Sequence, residues 1–154
     1  MIGLESILSW FKSLVEGINN IGTLLSEGVP AALYPIGATP LNETSGNGAA
    51  TIVTATLEGA VGQTTYIEGF DVTSGGSTTA ALVTITVTDS VVSGLLLGYT
   101  YATVAGVTSL NAGLSIRYPR PIPASETGAS IAVSLPSLGS GNTKAIINAY
   151  GFRV

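Results

Sequence analysis

The chain of 154 residues contains neither cysteine nor histidine. Without cysteine it cannot form a disulfide and offers no thiolate for a structural metal site. Without histidine it lacks the commonest general base and metal ligand, and a Ser-His-Asp triad is excluded. We therefore predict a protein that is not an enzyme and that has no cofactor and no catalytic or metal-binding residue.

Charged residues are also scarce, at 9% of the chain against about 25% in typical soluble domains. Five basic residues against nine acidic ones give a net charge of −4. Phosphate backbones and anionic membrane surfaces both attract clustered lysine and arginine, so binding to nucleic acid or to a membrane is disfavoured. With so few charges, the polar surface must come from Thr, Ser, Asn and Gly. This composition is typical of β proteins that work outside cells or in large assemblies.

A secretory signal peptide is not evident, because the N-terminus has no basic region and Glu5, Lys12 and Glu16 interrupt its apolar stretch. The uncharged run over residues 90–116 is long enough to suggest a membrane span. Four glycines divide this run, however, and it is rich in Thr and Tyr, which favours strands and turns. A β domain of extracellular type with neither signal nor cysteine suits a protein made in the cytoplasm and carried out within a particle. We therefore predict that the protein is located in a virion.

In contrast to these absences, the first 28 residues carry a heptad pattern that the rest of the chain does not repeat. Apolar residues spaced alternately three and four apart form one seam, and the b, c and f positions are all polar. Gly28 can cap the helix and Pro30 can stop it, which predicts an amphipathic, coiled-coil-like helix over residues 1–29. Two internal glycines weaken such a helix by about 1 kcal/mol each, so it needs a partner surface. The predicted oligomerisation seam consists of Leu4, Ile7, Phe11, Leu14, Ile18, Ile21 and Leu25.

The sequence leaves three uses for this helix open. It can pack against its own β domain, or it can associate with copies of itself as a stalk. The consistently polar b, c and f positions favour the stalk. A helix lying on a membrane surface is the third alternative, and the acidic charge balance makes it the weakest. The apolar face is wide enough to favour three or more helices over two, because Leu8, Trp10, Val15 and Leu24 fall at e and g.

Past Pro30 the helical period disappears. Residues 30–50 read as a linker, punctuated by prolines and a Gly/Ser/Asn-rich stretch, although residues 32–36 can add a short edge strand. Over residues 51–154, runs of alternating apolar and polar residues recur between turns. This pattern predicts a mainly β domain, an antiparallel β-sandwich or jelly roll of seven or eight strands.

The alternation also predicts which residues share a face, as two of these runs illustrate. In the strand predicted over residues 80–89, Val83, Ile85 and Val87 alternate with three threonines. In the strand predicted over residues 64–73, we expect one face to hold Tyr66, Phe70 and Val72.

Paired carboxylates are the remaining enzymatic possibility, since glycoside hydrolysis needs two carboxyl groups roughly 5–10 Å apart. Glu68 and Asp71 share a predicted strand, but their odd spacing points them to opposite faces, which disfavours a glycosidase. Asp71, Asp89 and Glu126 can also meet at one end of the domain and bind Ca²⁺. No calcium-loop motif supports this, so we interpret them as solvated turn residues.

The segment over residues 116–123 combines two of the five basic residues with a tyrosine and three prolines. It can form a rigid crossover between sheets, the interpretation that we favour, or a docking loop for a partner or a glycan. In a docking loop, the residues expected to make contact are Arg117, Tyr118 and Arg120. Tyrosines of the β domain can stack on sugars, but tyrosines on strand faces more often belong to a core or a subunit interface.

The β region resembles the small jelly-roll proteins that decorate tailed-phage heads or form their short head fibres and spikes. The similarity is carried by TIVTATL, ALVTITVTD, IRYPRPIPASETGASIAVSLP and the closing NAYGFRV. The N-terminal heptads resemble segments through which such fibres trimerise or attach to a capsid. The resemblance implies a homotrimeric, non-enzymatic virion component whose partners are copies of itself and other capsid proteins. The alternative is a trimeric β-sandwich module that binds a carbohydrate or a receptor.

Overall fold

A computed structural model of the chain describes residues 9, 11–16, 34–48, 50–77, 80–91, 95–106, 113–139, 141 and 143–154. It divides the chain into two compact units, Met1–Ile36 and Gly37–Val154. The first unit contains the described helical residues, and the second contains all of the described strands. Among the described residues of both units, no helix has both the length and the apolar character needed to cross a membrane.

In the first unit, Ser9 and residues 11–16 are helical, within the segment where the heptad pattern predicts a helix. Phe11, Leu14 and Val15 are exposed by 53%, 43% and 51%. Phe11 and Leu14 belong to the predicted seam, and its other five members lie outside the described residues. The extent of the helix and the association through its seam therefore stay predictions.

The described residues of the second unit form eight strands, the upper number that the sequence predicts. Their Val-, Ile-, Thr- and Tyr-rich sequences suit a pleated, half-buried surface, and Gly- and Ser-containing turns separate them. The strands are β1 (Thr39–Thr44), β2 (Val53–Leu57), β3 (Thr65–Gly75), β4 (Ala81–Asp89), β5 (Leu95–Thr103), β6 (Leu114–Pro123), β7 (Ile131–Leu135) and β8 (Lys144–Arg153).

The strands form two antiparallel four-stranded sheets. Sheet I has the order β1-β8-β3-β6, and sheet II has the order β2-β7-β4-β5. Only β4 and β5 are consecutive strands that also pair as neighbours. The other six connections between the eight described strands pass from one sheet to the other. The prediction of a mainly β domain with antiparallel sheets is therefore confirmed.

Both sheets contribute to one hydrophobic core. Successive side chains of a strand point to opposite faces, so every second residue lies inside. The alternation predicted for β4 is confirmed, because Ile85 and Val87 are buried and Val83 packs against the same cluster. The buried members include Ile67, Phe70, Val72, Ile147 and Ala149 from sheet I and Val53, Leu57, Ile85, Val87, Ile131, Val133 and Leu135 from sheet II.

The segment predicted as a linker over residues 30–50 contains β1, and the compact β unit begins at Gly37. The sequence TPLNET has a single large apolar residue, Leu41, which packs against the core. Pairing with β8 along all six residues supplies the backbone hydrogen bonds that local propensity alone would not predict. The sequence also allows a short edge strand over residues 32–36. The described part of that range, Tyr34 to Ile36, forms a bend and a turn instead.

The prediction that Tyr66, Phe70 and Val72 share one face is wrong. The pairing register of β3 shifts between Ile67 and Gly69, so the alternation changes parity at this bulge. Phe70 and Val72 lie in the core together with Ile67. Tyr66 lies on the outer face, where its ring stacks on Phe152 with centroids 4.9 Å apart.

Candidate binding surface

Arg117, Tyr118 and Arg120 lie within β6, an edge strand of sheet I. The proline-rich segment over residues 116–123 was expected to form a docking loop or a crossover between sheets. Instead it belongs to β6, which continues to Pro123. Arg117 pairs in register with Gly69 of β3, whereas the adjacent Tyr118 faces the core cluster. The three residues thus do not form one contact patch, and a docking role for them stays a prediction.

Arg117 is held in place by two side chains from neighbouring strands. Its Nη1 donates to Oδ1 of Asp71 at 3.1 Å, and its Nη2 donates to Oδ2 at 3.3 Å. The guanidinium also lies over the ring of Tyr150, 4.4 Å from the centroid, which is a cation–π contact. The Tyr150 hydroxyl donates to the same Asp71 carboxylate. We call these three residues the Asp71 cluster; they come from the three adjacent strands β3, β6 and β8.

Gly69 makes this arrangement possible. In the register of sheet I it lies directly opposite Arg117 on one side and Tyr150 on the other. A Cβ atom at this position would collide with the carbonyl oxygen of Ile116 and lie 3.0 Å from Cδ of Arg117. Because glycine leaves this space free, the arginine side chain can extend across β3 towards the tyrosine ring.

The electrostatics of the cluster keep Asp71 ionised. Burial opposes the charge, but hydrogen bonds from Arg117, Ser115 and Tyr150 outweigh it and lower the pKa of Asp71. The hydrogen bond to Asp71 raises the pKa of Arg117. Burial and the hydrogen bond to Asp71 raise the pKa of Tyr150. A carboxylate with a lowered pKa does not donate protons near neutral pH, so the cluster is suited to fixing an arginine at the surface and not to acid catalysis.

A second aromatic pair lies on the same outer face of sheet I. Phe152 is buried but does not belong to the core cluster, and its ring stacks on Tyr66. In register, Pro40 lies beside Phe152 and Pro123 beside Tyr66. The neighbouring row of this face contains Asn42, Tyr150, Gly69 and Arg117. Sheet I thus presents aromatic rings flanked by amide and guanidinium groups, which we call the aromatic face.

The remaining described tyrosines of the β domain have structural roles. The Tyr99 hydroxyl donates to that of Tyr118 at 3.3 Å, and burial raises the pKa of Tyr118. The Tyr99 ring meets Phe70 edge to face at 5.4 Å. The Tyr101 hydroxyl and Ser74 hydroxyl are 2.9 Å apart and buried. These tyrosines lie between the sheets, so only Tyr66 and Tyr150 are placed to contact an external ligand.

The carboxylates considered for catalysis or calcium binding do not converge. Asp89 is buried at the end of β4, where it accepts hydrogen bonds from the backbone N–H groups of Val91 and Ser125 at 2.8 and 2.6 Å. Asp71 is engaged with Arg117 on sheet I. Among the residues that the structure describes, no group of three acidic residues is close enough to hold a metal ion.

The outer face of sheet II differs in character. Its four strands contain one charged residue, the buried Asp89. The outward positions are small and mostly hydroxylated, and the Thr54 and Ser134 hydroxyls bond across strands at 2.8 Å. Exposed Leu82 lies in register with Ala102 on this face. The outward residues are Thr54, Thr56, Leu82, Thr84, Thr86, Thr88, Gly98, Thr100, Ala102, Ala132 and Ser134.

Comparison with known proteins does not identify the chain. No protein-family description matches the sequence, and no curated protein matches it significantly.

Proposed function

We propose that the protein is a structural, self-assembling component of a virus particle, such as a capsid decoration, head-fibre or spike protein. In this proposal the β unit is a jelly-roll β-sandwich, and the N-terminal helix attaches it to the particle or to two further copies. Such a component catalyses no reaction and binds neither a cofactor nor nucleic acid.

The strand order is the observation that carries the proposal. Eight antiparallel strands in the orders β1-β8-β3-β6 and β2-β7-β4-β5, with six connections between the sheets, support the jelly-roll part of this proposal, because a jelly roll consists of eight strands in two sheets. This architecture recurs in viral capsid proteins and in lectins. Fold alone does not establish function, so the surfaces must discriminate between these two uses.

The scarcity of charge supports the use in an assembly. An isolated domain stays soluble mainly through surface charge, whereas a surface covered by neighbouring subunits does not need it. Sheet II presents a whole face without a charged side chain, and exposed Leu82 and Val104 add apolar area near β5.

The first test is the mass in solution of the full chain and of residues 37–154, by size exclusion with light scattering. We expect the full chain to have three times its 15.5 kDa mass, and the shorter chain to remain folded. Dissociation of the shorter chain would place trimerisation in the first 36 residues. A full chain that stays monomeric at millimolar concentration would contradict self-assembly.

The second test addresses the particle. Antibodies raised against the β unit should label virus particles banded on a density gradient from the source material. The protein should also co-migrate with the particle in stoichiometric amounts. Its absence from every particle fraction, despite abundant free protein, would contradict a virion role.

The second candidate function is binding of a carbohydrate, and the aromatic face favours it. Tyrosine rings beside amide and guanidinium donors are the groups that stack on and hydrogen-bond to sugars, and Tyr150 and Asn42 lie in one row with Arg117. Saturation-transfer NMR against a glycan panel tests it. We expect Tyr150→Ala to abolish any transfer, and the matched variant Tyr101→Phe, which changes an inward tyrosine, to retain it. No transfer from any glycan would remove this candidate.

A further inference from the structure

The segment over residues 45–48 continues from the end of β1 along β8. The backbone N–H of Ser45 donates to the carbonyl oxygen of Ile147 at 2.9 Å. The backbone N–H of Gly48 donates to the carbonyl oxygen of Ala145, also at 2.9 Å, and forms an isolated bridge with it. The segment therefore has one residue more than the stretch of β8 that it faces, which is the count of a β-bulge.

The residues at the bulge are Gly46 and Asn47. Gly46 has a φ of 67°, in the left-handed region that favours glycine, so the bulge has the form of the G1 type. Asn47 is exposed. Gly48 follows, and a Cβ atom there would collide with Cγ1 of Val53. Packing thus requires glycine at position 48, directly after an exposed asparagine.

An Asn-Gly sequence can modify itself without an enzyme. The backbone nitrogen of the glycine loses its proton to solvent and attacks the side-chain amide carbon of the asparagine. The amide nitrogen takes up a proton and leaves as ammonia, and a cyclic succinimide remains. Water opens this ring to aspartate or to isoaspartate. Glycine favours the attack because it has no Cβ atom to shield the nitrogen. Of the asparagines in the chain, only Asn47 is followed by glycine.

We propose that Asn47 is a deamidation site controlled by the hydrogen bond from Gly48 to Ala145. In the folded state, the Gly48 N–H donates its proton to this bond, so the nitrogen cannot attack until the bond opens. The bridge lies beyond the end of β1, an edge strand of sheet I, and such ends open locally at low cost. The reaction therefore occurs in the native protein, but more slowly than in an unfolded chain. This inference does not depend on the proposed function.

Deamidation changes both charge and geometry at this end of sheet I. Either product adds a negative charge to a chain whose net charge is already −4. Isoaspartate also lengthens the main chain by one carbon between positions 47 and 48. The bulge then no longer matches β8, so we expect the isoaspartate form to lose the bond from Gly48 to Ala145.

Peptide mapping by mass spectrometry tests the site in the full chain. Native and denatured protein are incubated in parallel at mildly alkaline pH. We expect Asn47 to deamidate before any other asparagine of the native protein. In the denatured chain it should react roughly five- to tenfold faster, the factor expected from one net hydrogen bond. Equal rates in the two states would overturn the control by the bridge. Earlier deamidation of another asparagine in the native protein would overturn the site.

A serine variant tests whether opening of the bridge controls the rate. The Ser45 hydroxyl accepts a hydrogen bond from the Ile147 N–H at 3.0 Å and anchors the segment beside the bridge. We expect Ser45→Ala to speed native deamidation roughly three- to tenfold and to leave the denatured rate unchanged. The matched control, Ser134→Ala, removes an exposed hydroxyl bond on sheet II and should change neither rate. Equal acceleration by both variants, or none by Ser45→Ala, would overturn the proposal.

Hydrogen exchange tests the structural consequence. During incubation of the native protein, exchange at the Gly48 amide should accelerate as isoaspartate accumulates. Asn47→Gln has a side chain one carbon longer, which disfavours the ring closure, so its Gly48 amide should stay protected. The same loss of protection in Asn47→Gln would overturn the link between the modification and the bridge.

Discussion

Sheets I and II share one core but present opposite chemistry to the outside. Inside, both contribute alternate apolar residues that are fully buried. Outside, sheet II is an uncharged face of threonine, serine, alanine and glycine with the exposed Leu82, whereas sheet I carries an ion pair with stacked aromatic rings. The charged residues within the strands show this division: seven lie in sheet I, and sheet II has only Asp89.

The inner faces of the two sheets determine the fold, whereas their outer faces determine which other molecules each sheet can contact. The inner faces must be apolar in both sheets, because burial drives their association. The outer faces are free to differ, so their difference reflects what each face meets. An uncharged face suits burial by another protein surface, and a face with fixed aromatic and charged groups suits selective contact with a ligand or solvent.

The largest effects are expected where the two sheets are alike. Phe70 of sheet I and Ile85 of sheet II are both fully buried. We expect Phe70→Ala to lower the free energy of unfolding by about 3–5 kcal/mol and Ile85→Ala by about 2–5 kcal/mol, because each leaves a cavity. Chemical denaturation of residues 37–154 measures this. A loss at only one of the two positions would mean that the core is not shared.

A smaller effect is expected at the glycine of the Asp71 cluster. Gly69→Ala places a Cβ against the Ile116 carbonyl oxygen and the Arg117 side chain, so we expect a loss of about 1–3 kcal/mol. The matched control is Gly113→Ala, where the nearest atoms are an ordinary 3.7 Å away. Equal stability of the two variants in denaturation would contradict the crossing of Arg117 over β3.

The ion pair itself should contribute less, because the Arg117 side chain is 56% exposed. A double-mutant cycle of Arg117→Ala and Asp71→Asn should give a coupling of about 0.2–1 kcal/mol that decreases in salt. The pKa of Asp71 lies below its ordinary value of 3.8, so the ionised form favours the folded state. This stabilisation is complete above that value and is lost as the pH falls through the lower, folded-state pKa. Asp71→Asn should remove that part of the acid dependence, and an unchanged acid titration would contradict the lowered pKa.

The smallest effect is expected on the uncharged face. Ser134→Ala removes the exposed hydrogen bond to Thr54, whose hydroxyl can bond to water instead. We expect a loss under about 0.5 kcal/mol with no dependence on salt. A loss above 1 kcal/mol would indicate that the hydroxyls of this face act as a connected network.

The sequence allowed the core strands to be predicted but not their pairing. Alternation in β2, β4 and β7 is regular, so their inward residues follow from a period of two. In β3 the bulge at Glu68 changes the parity. The adjacent Gly69 is a residue type that often marks a bulge, but a single glycine does not determine where the alternation shifts. The local sequence of β1 is typical of a linker, because the strand is stabilised by β8, whose paired residues lie at least 104 positions further along the chain (Thr44 with Asn148).

The Asp71 cluster illustrates why surface sites are harder to predict. Its three members lie on strands that are distant in sequence, and each is unremarkable by itself. They meet only because the sheet order places β3 between β6 and β8 and because Gly69 leaves space between them. Arg117 was singled out from its proline-rich surroundings, whereas its partners depend on the register, which short-range patterns do not contain.

The position of β8 has a consequence for how the protein is made. β8 is the last of the described strands in sequence order, yet it lies inside sheet I, between β1 and β3. A ribosome must therefore complete Lys144–Arg153 before the first strand of the domain finds its partner. Until then the apolar strands of the nascent chain have no closed core. They can therefore misassemble with other nascent chains translated from the same mRNA. We expect ribosome pausing or codon choice between the codons of β7 and β8 to affect the yield of folded protein more than changes in the codons of β1 and β2.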